Sequence, residues 1–187
     1  MTKDIVRLAT ILLLICGIST AFVSGAYTVT KGIIEARANQ QIMEGYQQVL
    51  PGAGNIVKQP AADDPLIQEV CQSEQNGVVN GYIYTVIPSG YSGQIVTMIG
   101  IEHPAMRISG IKILQQTETP GLGAKAKEPA FTQQFTDKKL ADPLIVSKQA
   151  AKPQEIQAIT ASTITSTAVV NGINAARAHY LKHYAKQ

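Results

Sequence analysis

Cysteine and histidine are scarce in this chain of 187 residues, which contains two cysteines and three histidines. Cys16 lies in a long apolar run and Cys71 in the more polar remainder, so we do not expect them to form a disulfide. His179 and His183 have the four-residue spacing of a metal site on a helix, but no carboxylate accompanies them. Since no C-x-x-C pair occurs either, no metal or iron–sulfur site is predicted for this chain alone.

Common enzyme signatures are also missing from the sequence. It has no G-x-S-x-G of hydrolases, no phosphate-binding Walker loop and no dinucleotide-binding fingerprint, so a self-contained hydrolase or NAD enzyme is not expected. The net charge of +3 is small and scattered, which argues against nucleic acid as a partner.

Charged residues are absent from residues 8–30, between Arg7 and Lys31. At ~1.5 Å per helical residue, this run is long enough to cross the ~30 Å apolar core of a bilayer. A secretory signal would have a shorter apolar core and a small-residue cleavage site, so we prefer an uncleaved membrane anchor. Lys3 and Arg7 precede the run, which favours a cytoplasmic N-terminus and an extracytoplasmic remainder.

The remainder has the pattern of an α+β domain with a mostly antiparallel sheet and flanking helices. A helical pattern at 32–49 is followed by strand-like segments at 66–71, 81–87, 94–101 and 107–114, with turns at 76–77 and 89–93. A short helix is predicted near 129–135, a further strand is compatible with 144–146, and a final helix is predicted from about 166 to 184. We therefore divide the chain into a cytoplasmic N-terminus, a transmembrane helix, a connecting helix with its linker and one extracytoplasmic domain, at residues 1–7, 8–30, 31–60 and 61–187.

Hydroxyl side chains are concentrated at residues 157–166, where five of ten residues carry one. One such residue is enough to cap a helix, and Thr165 or Ser166 could do so here. The N–H groups and positive dipole end of a helix start also favour a phosphate. From the residues alone, a Thr-rich strand that runs into a capped helix without a ligand is the preferred interpretation.

The stretch TASTITSTAV, residues 160–169, resembles the flavinylation motif of the FMN-binding domain family. That family includes the G subunit of Rnf complexes and the C subunit of the sodium-pumping NADH:quinone oxidoreductase. In its pattern, roughly S/T-G-A-T-x-T/S, one threonine carries FMN through a phosphoester bond. The resemblance places this linkage at Thr163.

The same alignment assigns the residues around the linkage. Thr160 takes the first position of the pattern, and Thr165 and Ser166 match the hydroxyls that follow and would form the phosphate side of the site. Ala161 and Ser162 stand where the family has Gly and Ala. The first of these changes matters if the backbone needs a positive φ there, because glycine adopts that conformation most easily.

A second stretch, QQTETPGLGAKA at residues 115–126, resembles the ETPGLG loop of the same family, and GYSGQIVTMIGIE at 90–102 resembles the strand region before that loop. The resemblance implies that a flat flavin ring lies against this glycine-rich backbone. Its ring-side residues would be Glu118, Thr119, Leu122 and Gly123, with Lys125 as a further candidate.

Three tyrosines, Tyr82, Tyr84 and Tyr91, could stack on a flavin. The alternation of Tyr82 and Tyr84 fits one face of a strand equally well.

The resemblance implies an electron-transfer subunit with covalent FMN, in a membrane complex that couples ferredoxin:NAD oxidoreduction to sodium or proton transport. Its partners would be other membrane and iron–sulfur subunits, and a flavin transferase would attach the FMN. The residues of these motifs and the length of the chain favour the Rnf G subunit. The alternatives are the quinone-reductase subunit and a flavin-free, membrane-anchored assembly module of the same fold.

Overall fold

The computed structural model describes residues 2–60 and 63–185; the side chains of residues 2–4, 26, 29 and 32–41 also lie outside the description. Two of the sequence-based predictions lie partly outside the described residues. They are the charge of the Lys3 side chain before the span, and the two ends of the predicted domain, at 61–62 and 186–187. The chain separates into two compact units, Met1–Met43 and Glu44–Gln187.

Helix α1 runs without a break from Thr2 to Val49, so the predicted span and connecting helix belong to one helix. Its stretch Ile5–Gly25 has a mean hydropathy of 2.2 and is apolar and long enough to cross a membrane. The hydroxyls of Thr10 and Thr20 donate to the carbonyls four residues earlier, at 2.9 and 2.7 Å. Since these bonds satisfy the hydroxyls within the helix, they suit a helix surrounded by lipid.

Five strands form an antiparallel sheet whose spatial order follows the chain. They are β1 Asn55–Lys58, β2 Ile67–Gln75, β3 Val78–Val86, β4 Val96–Glu102 and β5 Arg107–Gln115. The predicted turn at Asn76 and Gly77 joins β2 to β3, and both residues have positive φ, at 53° and 78°. Such angles belong to the tight hairpin turn that Asn-Gly favours.

The sequence pattern missed β1, because this edge strand has four residues and three of them are exposed. So short a segment shows no hydrophobic alternation.

The second half of the domain carries shorter elements and one long helix. They are a 3-10 turn at Gly123–Lys127, α2 at Pro129–Thr132, a 3-10 turn at Gln133–Phe135, β6 at Ile145–Ser147, β7 at Glu155–Gln157 and α3 at Thr163–His183. Strand β6 falls on the predicted strand and pairs in parallel with β7. Helix α3 begins three residues earlier than the hydrophobic pattern predicted, so Thr163 is its first residue.

One face of the sheet packs on α2 and α3 and forms the main core of the domain. Helix α3 can approach closely because it carries Gly172, where a Cβ would lie 2.8 Å from Cγ2 of Val86. On the opposite face, the end of α1 inserts Val49 and Leu50 into a smaller cluster with Ile83 and Met98.

Two glycines on neighbouring strands receive the end of α1. Gly100 of β4 and Gly110 of β5 are register partners, and Oγ of Ser109 donates to the carbonyl of Val49 at 2.5 Å. A Cβ at Gly100 would lie 2.1 Å from that carbonyl oxygen, whereas at Gly110 the distance would be 3.4 Å. The chain leaving α1 therefore lies directly on the sheet backbone at Gly100.

Rings meet at the far end of α3. Tyr84 and His179 are joined by a 3.1 Å bond between Oη and Nδ1, and Tyr180 and His103 by a 2.9 Å bond of the same kind. The ring of His179 also stacks on that of His183, with centroids 4.4 Å apart. Burial lowers the pKa of His179, and the neighbouring His183 adds to the effect.

We expect Gly100→Ala to reduce the free energy of unfolding by about 1–3 kcal/mol, because its methyl group would overlap the Val49 carbonyl. Gly110→Ala is the matched control, since its methyl group fits at contact distance and alanine costs less entropy than glycine in a strand. Denaturant unfolding of the full chain in detergent measures both. Equal losses in the two variants would contradict the close approach at Gly100.

Stability should fall on acidification because of His179. Its folded pKa lies below that of the unfolded chain, about 6.5, so the unfolded state binds more protons as the pH falls. The contribution of neutral His179 to the free energy of unfolding is complete above about pH 6.5. It is lost as the pH drops through the folded pKa. His179→Gln retains an acceptor for Tyr84 without titrating, and should show a shallower loss between pH 7 and pH 5. An unchanged slope would show that His179 does not contribute.

Candidate functional site

A cavity of about 480 Å³ lies between the start of α3 and the loop after β5. Its walls combine apolar and hydroxyl groups, and they are formed by Tyr91, Glu118, Thr119, Leu122, Gly123, Ala161, Ser162, Thr163, Ile164 and Thr165.

The loop after β5 is shaped by its proline and glycines. The Leu122 N–H donates to the Thr119 carbonyl at 3.1 Å, and Gly121 has a φ of 78°. Pro120 therefore occupies the second and Gly121 the third position of a type II turn, which is the arrangement these two residues favour. Of this loop, Thr119, Leu122 and Gly123 line the cavity.

The carboxylate of Glu118 is buried at the wall of the cavity, with 6% of the residue exposed. The Ser92 N–H donates to Oε1 at 2.8 Å, and the Thr165 hydroxyl donates to Oε2 at 2.6 Å. Glu118 thus joins the loop before β4, the loop after β5 and the first turn of α3.

Two glycines leave room for this carboxylate. A Cβ at Gly90 would lie 2.6 Å from Oε1 of Glu118, and a Cβ at Gly123 would lie 2.5 Å from Oε2. At Gly123 it would also lie 2.7 Å from Oγ1 of Thr165. Any side chain at Gly123 would therefore break the hydrogen bond between the loop and the helix.

The start of α3 differs from the sequence-based prediction. The N-cap residue is Ser162, and the first helical hydrogen bond joins the Ser166 N–H to the Ser162 carbonyl at 3.1 Å. The prediction that Thr165 or Ser166 caps the helix is therefore wrong, since both lie within its first turns. The N–H groups of residues 163–165 precede that bond and leave the positive end of α3 at the cavity.

Ser166 fixes the turn that leads into α3. Its buried hydroxyl donates to the Ser162 carbonyl and accepts the Ile159 N–H, each at 3.0 Å. Ala161, within this turn, has a φ of 59°. This is the left-handed conformation that favours glycine, and the FMN-binding family pattern has glycine here.

Of the site residues predicted from sequence, the cavity brings together seven: Glu118, Thr119, Leu122, Gly123, Ser162, Thr163 and Thr165. Ser166 lies beneath the surface instead, with none of it exposed. Thr160 and Lys125 line a separate, smaller cavity of about 180 Å³, next to Gln134 and Gln157.

Two exposed apolar residues complete the rim. Tyr91 lines the cavity and is 72% exposed, whereas Tyr82 and Tyr84 are buried in the core. Ile164 also lines it and is 57% exposed. Ile164 was not predicted as a site residue. The available signal was its position among hydroxyl residues and outside the apolar stripe that α3 buries.

The cavity has the two features that a flavin mononucleotide requires. One is the start of α3 at Thr163, where the N–H groups of a helix N-terminus favour a phosphate. The other feature is the apolar rim of Tyr91, Leu122 and Ile164, which suits a flat ring.

The residues that line the cavity fall within 90–178, which match the family model described as the FMN-binding domain. The chain is 37% identical to the G subunit of the Na⁺-translocating ferredoxin:NAD⁺ oxidoreductase complex of Acetobacterium woodii, over 92% of this chain and 89% of that protein. It is 28% identical to the G subunit of the ion-translocating oxidoreductase complex of Methanosarcina acetivorans, over 94% of each. The crystal structure of the C subunit of Na⁺-translocating NADH-quinone reductase from Parabacteroides distasonis superposes with a TM-score of 0.53, at 27% identity and over 61% of each chain.

The chain therefore belongs to the G-subunit family of ion-translocating ferredoxin:NAD⁺ oxidoreductase complexes. The quinone-reductase subunit is a more distant relative with the same fold. Both the predicted α+β fold and the preference for the Rnf G subunit are confirmed.

Ala161→Gly should increase the free energy of unfolding by about 0.5–1 kcal/mol. Glycine removes the cost of the left-handed conformation, and its greater freedom in the unfolded chain offsets part of that gain. Ala130→Gly, at an exposed position of α2, is the matched control and should be destabilising. Thermal unfolding of both variants tests this, and a loss of stability in both would contradict strain at Ala161.

Proposed function

We propose that this chain is the electron-transfer subunit of a membrane complex that couples ferredoxin:NAD⁺ oxidoreduction to sodium or proton transport. We further propose that it carries FMN as a phosphoester on Thr163. Membership of the G-subunit family supports the first statement. The observation that carries the second is the position of Thr163, an exposed residue that lines the cavity and is the first residue of α3.

Thr163 would hold the phosphate at the positive end of α3. The phosphodiester carries one negative charge, which the N–H groups and dipole of a helix start stabilise. Ser162 and Thr165 flank this position, and Thr160 lies on the other side of the turn, beside the smaller cavity.

The remaining residues of the cavity would orient the ring and exclude water from it. Leu122, Ile164 and Tyr91 offer apolar surface to the ring. FMN supplies the electron-transfer chemistry when bound. The protein's own task is to hold it in place and set its surroundings.

A covalent tether suits the proposed location of the domain outside the cytoplasm. A flavin that dissociated there would be diluted, whereas a tethered one keeps a high effective concentration at its site. Attachment at Thr163 implies a flavin transferase as a maturation partner. Iron–sulfur and membrane subunits of the complex would be the electron-transfer partners.

The apolar stretch of α1 would anchor the chain in the membrane. Lys3 and Arg7 precede the uncharged run at residues 8–30 and favour a cytoplasmic N-terminus, so the domain would lie on the opposite side.

We expect Thr163→Ala to remove all covalent flavin while the domain stays folded, since Thr163 is exposed and packs little. Ultraviolet fluorescence on a denaturing gel should show a bright wild-type band and a dark variant band. Intact mass should show a wild-type increase equal to FMN less one water. Thr160→Ala, which changes the neighbouring hydroxyl outside the larger cavity, should remain bright.

Fluorescence that survives in Thr163→Ala but is lost in Thr160→Ala would move the linkage to Thr160. A dark wild-type chain, produced together with a flavin transferase, would contradict covalent attachment. It would favour the flavin-free assembly module, for which the departures at Ala161 and Ser162 are the supporting observation.

A further inference from the structure

We propose that the buried charge of Glu118 sets the reduction potential of the flavin, and holds it more negative than the same cavity would without that charge. This inference rests on the proposed function, since it requires FMN in the cavity.

Two neutral donors contact the carboxyl group of Glu118. The backbone N–H of Ser92 donates to one oxygen at 2.8 Å and the hydroxyl of Thr165 donates to the other at 2.6 Å. Neither donor carries a formal charge, so the negative charge is solvated locally but not cancelled.

No cation pairs with Glu118 within the described part of the chain. Lys125, seven residues later, lines the separate smaller cavity instead. No paired cation therefore offsets the charge of Glu118 where it lines the larger cavity.

Packing alone does not require an acid at this position. A glutamine of the same shape could accept the Ser92 N–H with its carbonyl oxygen and donate to the Thr165 hydroxyl with its amide. Both neighbours would then be satisfied. What the carboxylate adds to an amide is the charge itself.

A negative charge at the wall of the cavity affects the two redox states of the flavin differently. The oxidised ring is neutral, and each electron accepted from a donor adds one negative charge unless a proton follows. Glu118 repels that added charge and so disfavours the reduced state relative to the oxidised state. The result is a more negative midpoint potential.

The experiment separates charge from shape at one position. Glu118→Gln keeps the shape and removes the charge, whereas Glu118→Asp keeps the charge and shortens the side chain. Spectroelectrochemical titration of the FMN-bearing full chain should show a more positive midpoint potential for Glu118→Gln and a near-wild-type value for Glu118→Asp. Asp142→Asn makes the same charge change at an exposed position and should leave the potential unchanged.

Salt provides a second readout. Because Glu118 is buried, the positive shift of Glu118→Gln should persist at high ionic strength, where exposed charges are screened. A wild-type potential in Glu118→Gln, or an equal shift in Asp142→Asn, would overturn the proposal. A shift in Glu118→Asp with none in Glu118→Gln would assign Glu118 to shape alone, and would overturn it too.

A wild-type chain without FMN would contradict the attachment at Thr163 rather than the role of Glu118. In that case the affinities for free reduced and oxidised FMN are compared between Thr163→Ala and the double variant Thr163→Ala/Glu118→Gln. Removing the charge should favour binding of reduced over oxidised FMN on the order of tenfold, as expected for a unit charge within about 10 Å at an effective dielectric constant of ~20. An unchanged ratio, or no binding of FMN by either variant, would overturn the proposal.

Discussion

The hydrogen bond between Glu118 and Thr165 joins residues 47 positions apart and holds the two walls of the cavity together. Because a buried carboxylate is costly unless its oxygens are bonded, the surrounding segments must supply donors. Ser92 does so from the loop before β4. Gly90 and Gly123 leave the space that the carboxylate occupies. The glycines of this region therefore serve a polar contact as well as a turn.

Contacts on both faces of the sheet connect this site to the rest of the domain. On one face α3 packs closely at Gly172, which fixes the helix whose first residue is Thr163. On the other face the end of α1 lies at Gly100, with its last carbonyl held by Ser109. The last turn of α1 is thus part of the folded domain, and a flavin on Thr163 would be held by an element with a buried, well-packed face.

The sequence by itself predicted the features that depend on local chemistry. The long uncharged run predicted an apolar helix of sufficient length to cross a membrane, and α1 has one at Ile5–Gly25. Alternating apolar residues and the Asn76–Gly77 pair predicted the antiparallel hairpins of the sheet. Pro120 and Gly121 predicted a turn, and its type II geometry came from the structure. Most of the candidate site followed from two short motifs.

Only the tertiary structure decided what depends on contacts between distant segments. In the structure the Thr165 hydroxyl donates to Glu118, and Ser166 holds the turn before α3. From the sequence, both residues were candidates to contact a phosphate or to cap the helix. Thr160 lies beside a second cavity, because the turn at Ala161 reverses the chain between Thr160 and the larger cavity. A hydroxyl-rich sequence offers many possible partners, and packing selects among them. The periodicity of α3 describes its buried face, whereas its first residue is set by the turn that precedes it.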